Sequence, residues 1–268
     1  MKRTFFFILV ILSACNNNPG ENDMVGPVIS KVNEEKRLKE AIAHYPDSLL
    51  LKEELIEYYS DSKNYTSALN EIDAVLAKDS TNERFWNIKA VVHFEKKDTL
   101  KAISSLEKAV LYFPNEHYLI SLGATYAQVK NPKAIQIADA LLGGYKGKAD
   151  KEAFYIKGLY YSFVNEKQKA IGFFDKCLAL NYTYMDAYRE KSIALYDLGK
   201  YEEAFAVLDK AITLQNNFDE GYYYSGKCLE KLNRIPEAIQ SYKNALVYDP
   251  EYVEAKQALS RLRVKNGN

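Results

Sequence analysis

The sequence contains few residues that break helices, and it has no excess of charge of either sign. Only seven prolines and twelve glycines occur among its 268 residues, beside 22 tyrosines. This composition favours helices with aromatic packing over a turn-rich β fold. Lysine and arginine together number 36, the same as aspartate and glutamate. Nucleic-acid binding is not expected, because phosphate contacts require a concentrated basic surface.

The chain also lacks the short motifs of metal sites and of nucleophilic enzymes. Its three histidines, His44, His93 and His117, show no ligand spacing, and no His-x3-His, paired-cysteine or Gly-x-Ser-x-Gly pattern occurs. The sequence therefore predicts no metal site, no cofactor and no enzymatic activity.

The N-terminus has the pattern of a secretory signal peptide. Lys2 and Arg3 precede the apolar run 5–12, which is too short for a permanent membrane span of about 20 residues. A positive start, a short apolar stretch and small residues are typical of signal peptides. The run ends in Leu-Ser-Ala-Cys at 12–15, which resembles the lipobox of bacterial lipoproteins. An ordinary signal peptide, or a cysteine placed there by chance, is the alternative.

The lipobox resemblance implies a lipid anchor. Residues 1–14 would be removed as the signal peptide, and the thiol of Cys15 would carry a diacylglyceryl group. The polar segment 15–32 would then form a flexible tether from the membrane. Asn16 is not the aspartate that resembles an inner-membrane retention signal in some bacteria. We therefore expect a lipid-anchored protein of the bacterial cell envelope, with the outer membrane favoured.

A pattern of small and large apolar residues recurs every 34 residues along most of the chain. It is clearest at Gly226, Ala238, Tyr242 and Ala245. The equivalent residues at earlier steps are Ser192, Ala204, Leu208 and Ala211; Gly158, Ala170, Phe174 and Cys177; and Ala90, Ala102, Leu106 and Ala109. A period of this length indicates stacked helical hairpins, each of which buries its apolar face against its neighbours.

These positions resemble the signature of the tetratricopeptide repeat, in which small residues at three fixed positions let helices approach and large ones fill the space between them. The resemblance implies an all-α fold, a right-handed superhelical solenoid of helical hairpins that forms one domain over residues 33–268. It would contain a leading half-repeat near 33–46, about six repeats to residue 252, and a C-terminal capping helix at about 253–265.

Local signals mark the start of second helices and one irregular repeat. Asp98, Asn131 and Asn165 precede second helices and Asp249 precedes the last helix, so their side chains are predicted to accept hydrogen bonds from the first backbone N–H groups. Pro132 and Pro250 follow two of these residues and suit the first turn of a helix. In the repeat 116–150, Ala134 comes one residue too early for the pattern.

Two cysteines fall inside the repeats. Cys177 and Cys228 are 51 residues apart, which is one and a half repeats. A disulfide requires Cα atoms within about 7 Å, so both are predicted to be free, buried thiols.

The resemblance also implies a partner-binding face, because partners in the tetratricopeptide family commonly bind the concave surface formed by the first helices. The residues at those positions, predicted to contact other envelope proteins or peptides, are Asn87, Val91, Phe94, Ile120, Tyr155, Leu159, Phe163, Arg189, Tyr196 and Tyr223. Chaperone-binding members hold a C-terminal carboxylate there with a Lys/Asn clamp. Glu53 and Glu57 occupy that place here, so the clamp is absent. Alternatively, these side chains only close the inner wall of the array.

The expected function is that of a lipid-anchored adaptor or scaffold that positions protein partners at the envelope. A glycan- or peptidoglycan-binding module is the alternative, because exposed tyrosines can stack on sugars.

Overall fold

A computed structural model describes residues 31–144 and 147–266. The predicted signal peptide, Cys15 and almost all of the predicted tether lie outside these ranges. Within them, every regular element is an α-helix, and there are fourteen. The predicted all-α array of a leading half-repeat, six hairpins and a closing helix is confirmed. None of the described helices is long and apolar enough to cross a membrane.

The helices belong to two compact units, one ending at Phe113 and the other beginning at Pro114. The first unit contains α1 (Lys31–His44), α2 (Leu49–Asp61), α3 (Tyr65–Lys78), α4 (Glu83–Glu95) and α5 (Thr99–Tyr112). The second contains α6 (Glu116–Gln128), α7 (Lys133–Gly144), α8 (Asp150–Phe163), α9 (Lys167–Leu180), α10 (Met185–Asp197), α11 (Tyr201–Leu214), α12 (Asp219–Lys231), α13 (Ile235–Tyr248) and α14 (Val253–Asn266). Within each unit, successive helices pack as hairpins, and each hairpin contacts the next.

The turn inside each hairpin places one residue in the left-handed backbone region. These residues are Lys63, Lys97, Lys130, Asn165, Gly199 and Asn233, with φ between 58° and 76°. Only glycine adopts this conformation without a steric cost.

Of the four predicted caps, Asp98 and Asn131 accept a hydrogen bond from the helix that follows; the Asn131 side-chain oxygen accepts from the Lys133 N–H at 3.0 Å. Asp249 accepts from the Glu251 N–H at 2.9 Å, ahead of the first residue of α14. Asp98 is the N-cap of α5, and its carboxylate accepts a hydrogen bond from the Lys101 N–H at 3.3 Å. The prediction for Asn165 is wrong, because this residue occupies the left-handed turn position with φ 69°. Glu166 is the N-cap of α9, and its side chain makes no cap hydrogen bond.

Glycines on first helices allow bulky rings on second helices to approach. A Cβ atom added at Gly158 would lie 2.6 Å from Cδ1 of Phe174, and one added at Gly226 would lie 2.6 Å from Cε1 of Tyr242. Real Cβ atoms do not approach other atoms this closely. Both rings are fully buried, so each glycine and the opposing ring together fill the space between two helices.

The irregular repeat has a shortened connection and a tightened first turn. Three residues, 113–115, join α5 to α6, whereas four join the other hairpins whose connections are described in full. At the start of α7, the N–H groups of Ala134 and Ile135 donate to the carbonyls of Asn131 and Pro132, both at 3.0 Å. These bonds reach back three residues, as in a 3₁₀ turn. The tighter turn explains why Ala134 comes one residue early.

Three similar ion pairs join the first helix of a hairpin to the second helix of the preceding one. They are Lys89–Asp73, Lys157–Asp139 and Lys191–Asp175, with Nζ to Oδ1 distances of 2.5–2.6 Å. We call them the inter-hairpin pairs. Because each aspartate side chain is more than half exposed, one pair contributes about 1 kcal/mol or less.

Candidate partner-binding face

In the first unit, the predicted contact residues lie on α4. Asn87, Val91 and Phe94 are all half-buried. Glu53, on the preceding first helix α2, pairs with Arg84 at 2.6 Å. A binding role for the three α4 residues stays a prediction.

In the second unit, the predicted residues divide into accessible and buried side chains. Ile120, Phe163, Tyr196 and Tyr223 are half-buried, and they lie on the first helices α6, α8, α10 and α12. The other three are Tyr155, Leu159 and Arg189, with exposed fractions of 8%, 1% and 6%. The expectation that these three lie open to a partner is therefore corrected: they belong to the interior of the second unit.

Tyr155 is buried because its ring fills a junction between helices. The ring centroid lies 5.9 Å from that of Phe174 on α9 and 5.2 Å from that of Tyr184, just before α10. Burial raises the pKa of Tyr155 well above its usual value, and the Glu190 carboxylate adds to the rise. The Tyr155 hydroxyl makes no hydrogen bond with another described residue.

Arg189 lies within a group of three carboxylates, which we call the Arg189 cluster. Its guanidinium approaches Asp186 at 2.9 Å and Glu190 at 3.2 Å, and it also pairs with Glu220 on α12. The Glu190 side chain is 1% exposed, whereas those of Asp186 and Glu220 are 48% and 28% exposed. Burial raises the pKa of Glu220, and Arg189 opposes that rise.

The three carboxylates of the cluster were not anticipated, although a sequence signal for one of them exists. Arg189 and Glu220 are 31 residues apart. This separation equals the repeat length minus about one turn of helix, so the two residues lie near each other on successive first helices. The same separation recurs between Arg84 and Glu53 and between Arg261 and Glu230.

Tyrosines on α10 and α12 surround a lysine beside this cluster. The Lys227 ammonium lies 5.1 Å from the ring centroids of Tyr196 and Tyr224, and 5.7 Å from that of Tyr223. Such distances allow attraction between a cation and an aromatic face. Burial raises the pKa of Tyr224, and Glu190 contributes to the same rise, which places this ring within electrostatic reach of the Arg189 cluster.

The two cysteines in the described residues, Cys177 and Cys228, both lie inside the second unit. Cys177 and Cys228 are free and buried, as predicted, and burial raises the pKa of each thiol to about 12. At neutral pH they are therefore protonated and poor nucleophiles. No group of three His, Cys, Asp or Glu side chains in the described ranges could hold a metal ion.

The repeat geometry agrees with comparisons to known proteins. Two family models, both described as tetratricopeptide repeat, match residues 53–116 and 186–218. Residues 53–116 and 186–218 therefore carry tetratricopeptide repeats.

The chain is also similar to known proteins over much of its length. A TPR repeat-containing protein of Methanocaldococcus jannaschii is 25% identical over 220 residues, which cover 77% of this chain and 38% of that relative. The chain thus spans well under half of that protein. A tetratricopeptide repeat protein from Parabacteroides merdae has a similar solved structure, with a TM-score of 0.70 and 19% identity over 87% of this chain and 92% of the other. The pilus biogenesis factor PilW gives a TM-score of 0.60 with 18% identity, over 78% and 97% of the two chains. These two similarities show the fold alone.

Tetratricopeptide repeat proteins mediate protein–protein interactions and scaffolding. A binding role for the half-buried aromatic residues on the first helices of the second unit stays a prediction.

Proposed function

We propose that this protein is a lipid-anchored adaptor of the bacterial cell envelope, and that the first-helix face of its second unit binds segments of partner proteins. The observation that carries the proposal is the presence of Phe163, Tyr196 and Tyr223 on three successive first helices, each only half-buried. Large aromatic side chains that stay partly open are typical anchors at the centre of interfaces.

The N-terminal sequence supports the envelope location. A positive start, an apolar run and Leu-Ser-Ala-Cys at 12–15 together have the form of a lipoprotein leader. Cys15 would carry the lipid and hold the repeats at the outer membrane. Metabolic labelling with a fatty-acid analogue tests this: Cys15→Ala should abolish the label, whereas Cys177→Ala should retain it. Equal labelling of both variants contradicts the anchor.

Partner binding is tested with paired variants of the second unit. Phe163→Ser/Tyr196→Ser should leave the melting temperature within a few degrees of wild type, because both side chains are half-buried. The same variant should lose the proteins that crosslink to the wild type in membranes, since aromatic residues at interface centres contribute much of the binding energy. Tyr155→Ser is the matched control: its ring is buried, so it should destabilise the unit by several kcal/mol.

Two results would redirect the proposal. Retention of all crosslinked partners by a folded Phe163→Ser/Tyr196→Ser protein places the contact on another surface. The second result concerns sugars. If the wild type binds a glycan or peptidoglycan fragment array and the variant does not, while both retain the protein partners, the face is a sugar site, which is the alternative that its tyrosines suggest.

A further inference from the structure

A row of exposed apolar side chains lies at one edge of the second unit. Leu180, Leu214 and Tyr248 are the last residues of the second helices α9, α11 and α13, and they follow one another at intervals of 34 residues. Their exposed fractions are 56%, 39% and 43%. Second helices of successive hairpins run in the same direction, so these three residues lie at the same edge of the unit. We call them the edge row.

The chain around the first two members of the edge row has no charged residue. Residues 177–185 and 211–218 contain no aspartate, glutamate, lysine or arginine, although these residues make up 27% of the sequence. Their exposed side chains include threonine, asparagine, glutamine and Tyr182. Asp249 directly follows Tyr248, so the uncharged surface belongs to the ends of α9 and α11. Tyrosine beside apolar side chains is typical of the boundary between lipid tails and headgroups.

A lysine lies one helical turn behind each of these two apolar residues. Lys176 precedes Leu180 by four residues, and Lys210 precedes Leu214 by four. Each lysine therefore shares a helix face with its apolar residue and lies about 6 Å farther from the helix end. Both lysines are exposed, and their ammonium groups lie 5.0 and 6.0 Å from the centroid of an aromatic ring. Neither lysine makes an ion pair with another described residue, so both charges are available to an anion.

The order of these groups along the helix follows the change in polarity at the surface of a bilayer. Apolar side chains of proteins that lie on a membrane are buried roughly 5–10 Å into the boundary between headgroups and acyl chains. Lysines one turn behind them extend to the phosphates of anionic lipids. Because single apolar residues on successive second helices form a line and not a compact patch, they suit a flat surface.

We infer that the edge row lies on a bilayer that contains anionic phospholipid, with Leu180 and Leu214 among the headgroups and Lys176 and Lys210 beside the phosphates. This inference rests on the proposed function, because the lipid on Cys15 would hold the chain at such a surface. It adds a contact made by the folded repeats themselves, and it specifies which edge of the second unit faces the membrane.

Quenching of tryptophan fluorescence by lipids with brominated acyl chains tests the contact. The full lipid-anchored protein in a Trp86→Phe background is reconstituted into vesicles of phosphatidylcholine and phosphatidylglycerol. Leu214→Trp should lose fluorescence about twofold, because the new side chain enters the headgroup region. Leu198→Trp is the matched control: it is also exposed, and it lies in the turn before α11, at the opposite end of that helix. Equal quenching at the two positions, or none at either, overturns the inference.

Substitution of the lysines tests the role of charge. Lys176→Gln/Lys210→Gln should reduce the quenching of Leu214→Trp to the level found with vesicles of phosphatidylcholine alone, since anionic lipids attract lysines near the surface. Lys130→Gln/Lys231→Gln removes the same charge from exposed positions at the ends of first helices, and it should leave the quenching unchanged. Equal loss in the two double variants would indicate attraction by overall charge and refute the site.

Two controls separate this inference from the proposed function and from other occupants of the edge. If the protein floats with the vesicles and carries the fatty-acid label, but Leu214→Trp is not quenched, the anchor stands and this inference fails. If the wild type carries no label, the anchor itself fails. A Leu214→Cys protein that forms disulfide-linked dimers in membranes would replace the bilayer with a second copy of the chain.

Discussion

Gly158 illustrates how a single residue type controls the packing of a hairpin. The glycine faces the buried ring of Phe174, and there is no room between them for even one additional carbon atom. Gly226 has the same relation to Tyr242. Replacing either glycine requires a ring or a helix to move, and interiors packed to crystal-like density resist such movement.

Gly158→Leu should therefore lower the free energy of unfolding by about 1–3 kcal/mol or more. Gly172→Leu is the matched control, because Gly172 lies on α9 with open space around it. That variant should be as stable as wild type or slightly more stable, since leucine favours a helix over glycine by roughly 0.5–1 kcal/mol. Thermal melts compare them, and equal melting temperatures would contradict the packing at Gly158.

His93 should make the first unit less stable in acid. It is buried at the repeat position that Tyr59 and Tyr161 occupy elsewhere. Burial lowers its pKa, and neighbouring lysines add to the effect while Asp98 opposes it. The folded protein therefore holds the neutral ring, whereas the unfolded chain takes up a proton below about pH 6.5. The stabilisation by this group is complete above that pH and is lost as the pH falls.

His93→Tyr should consequently weaken the dependence of stability on pH. The measurement is the urea midpoint at pH 7.5 and at pH 5.5, and the loss between them should be smaller in the variant. His117→Tyr, at an exposed position on α6, serves as the control and should behave as the wild type. If all three proteins lose the same stability, His93 is not responsible.

Residue spacing was sufficient to predict the positions that obey a steric rule common to every repeat. Gly158 and Cys177 lie where the 34-residue phase put them, because close approach of helices tolerates only small side chains there, and Phe174 fills the space opposite Gly158. The burial of Tyr155 and Arg189 could not be predicted from residue spacing. It depends on Tyr184 and on Glu220, which belong to other segments, and a position within one repeat contains no information about those neighbours.

At the scale of helices and turns, the hairpin geometry forces one residue into the left-handed region in each repeat. Glycine occupies this position once, at Gly199, while lysine or asparagine occupies it in the other hairpins. The fold thus accepts a local backbone cost of about 1–2 kcal/mol at several turns, and packing of the flanking helices outweighs it. This cost also explains why Asn165, which tolerates such a conformation, is in the turn and not at the cap.

Gly199→Ala should destabilise the second unit by about 1 kcal/mol, because alanine is strained at φ 76°. The reciprocal change, Lys97→Gly, relieves the strain at the equivalent turn and should leave the first unit at least as stable as before. Chemical denaturation measures both. A Gly199→Ala protein with an unchanged midpoint would show that the turn relaxes to another conformation.

At the scale of the whole molecule, each compact unit contains its own side chain whose signal can report the unfolding of that unit. Trp86, the single tryptophan of the sequence, is in the first unit. Cys177 and Cys228 are both buried in the second. In arrays of repeats, stability is set by each repeat and its immediate neighbours, so a change in one unit should affect its own probe more strongly.

Gly158→Leu should accordingly shift the denaturant midpoint of thiol alkylation, followed by mass at Cys177 and Cys228, more than the midpoint of Trp86 fluorescence. Ala68→Leu, at a fully buried site of the first unit, should show the reverse. Identical shifts of both probes in both variants would mean that the units unfold as one.

The inter-hairpin pairs affect how easily the chain can gain a further hairpin during evolution. The hairpin of α8 and α9 presents Lys157 to the hairpin before it and Asp175 to the hairpin after it. A tandem copy of residues 151–184 would therefore meet a matching charge on each side, and its new junction would repeat a Lys–Asp pair already present. Gene duplication can lengthen this array by one hairpin without any compensating substitution, so closely related chains are expected to differ by whole multiples of 34 residues.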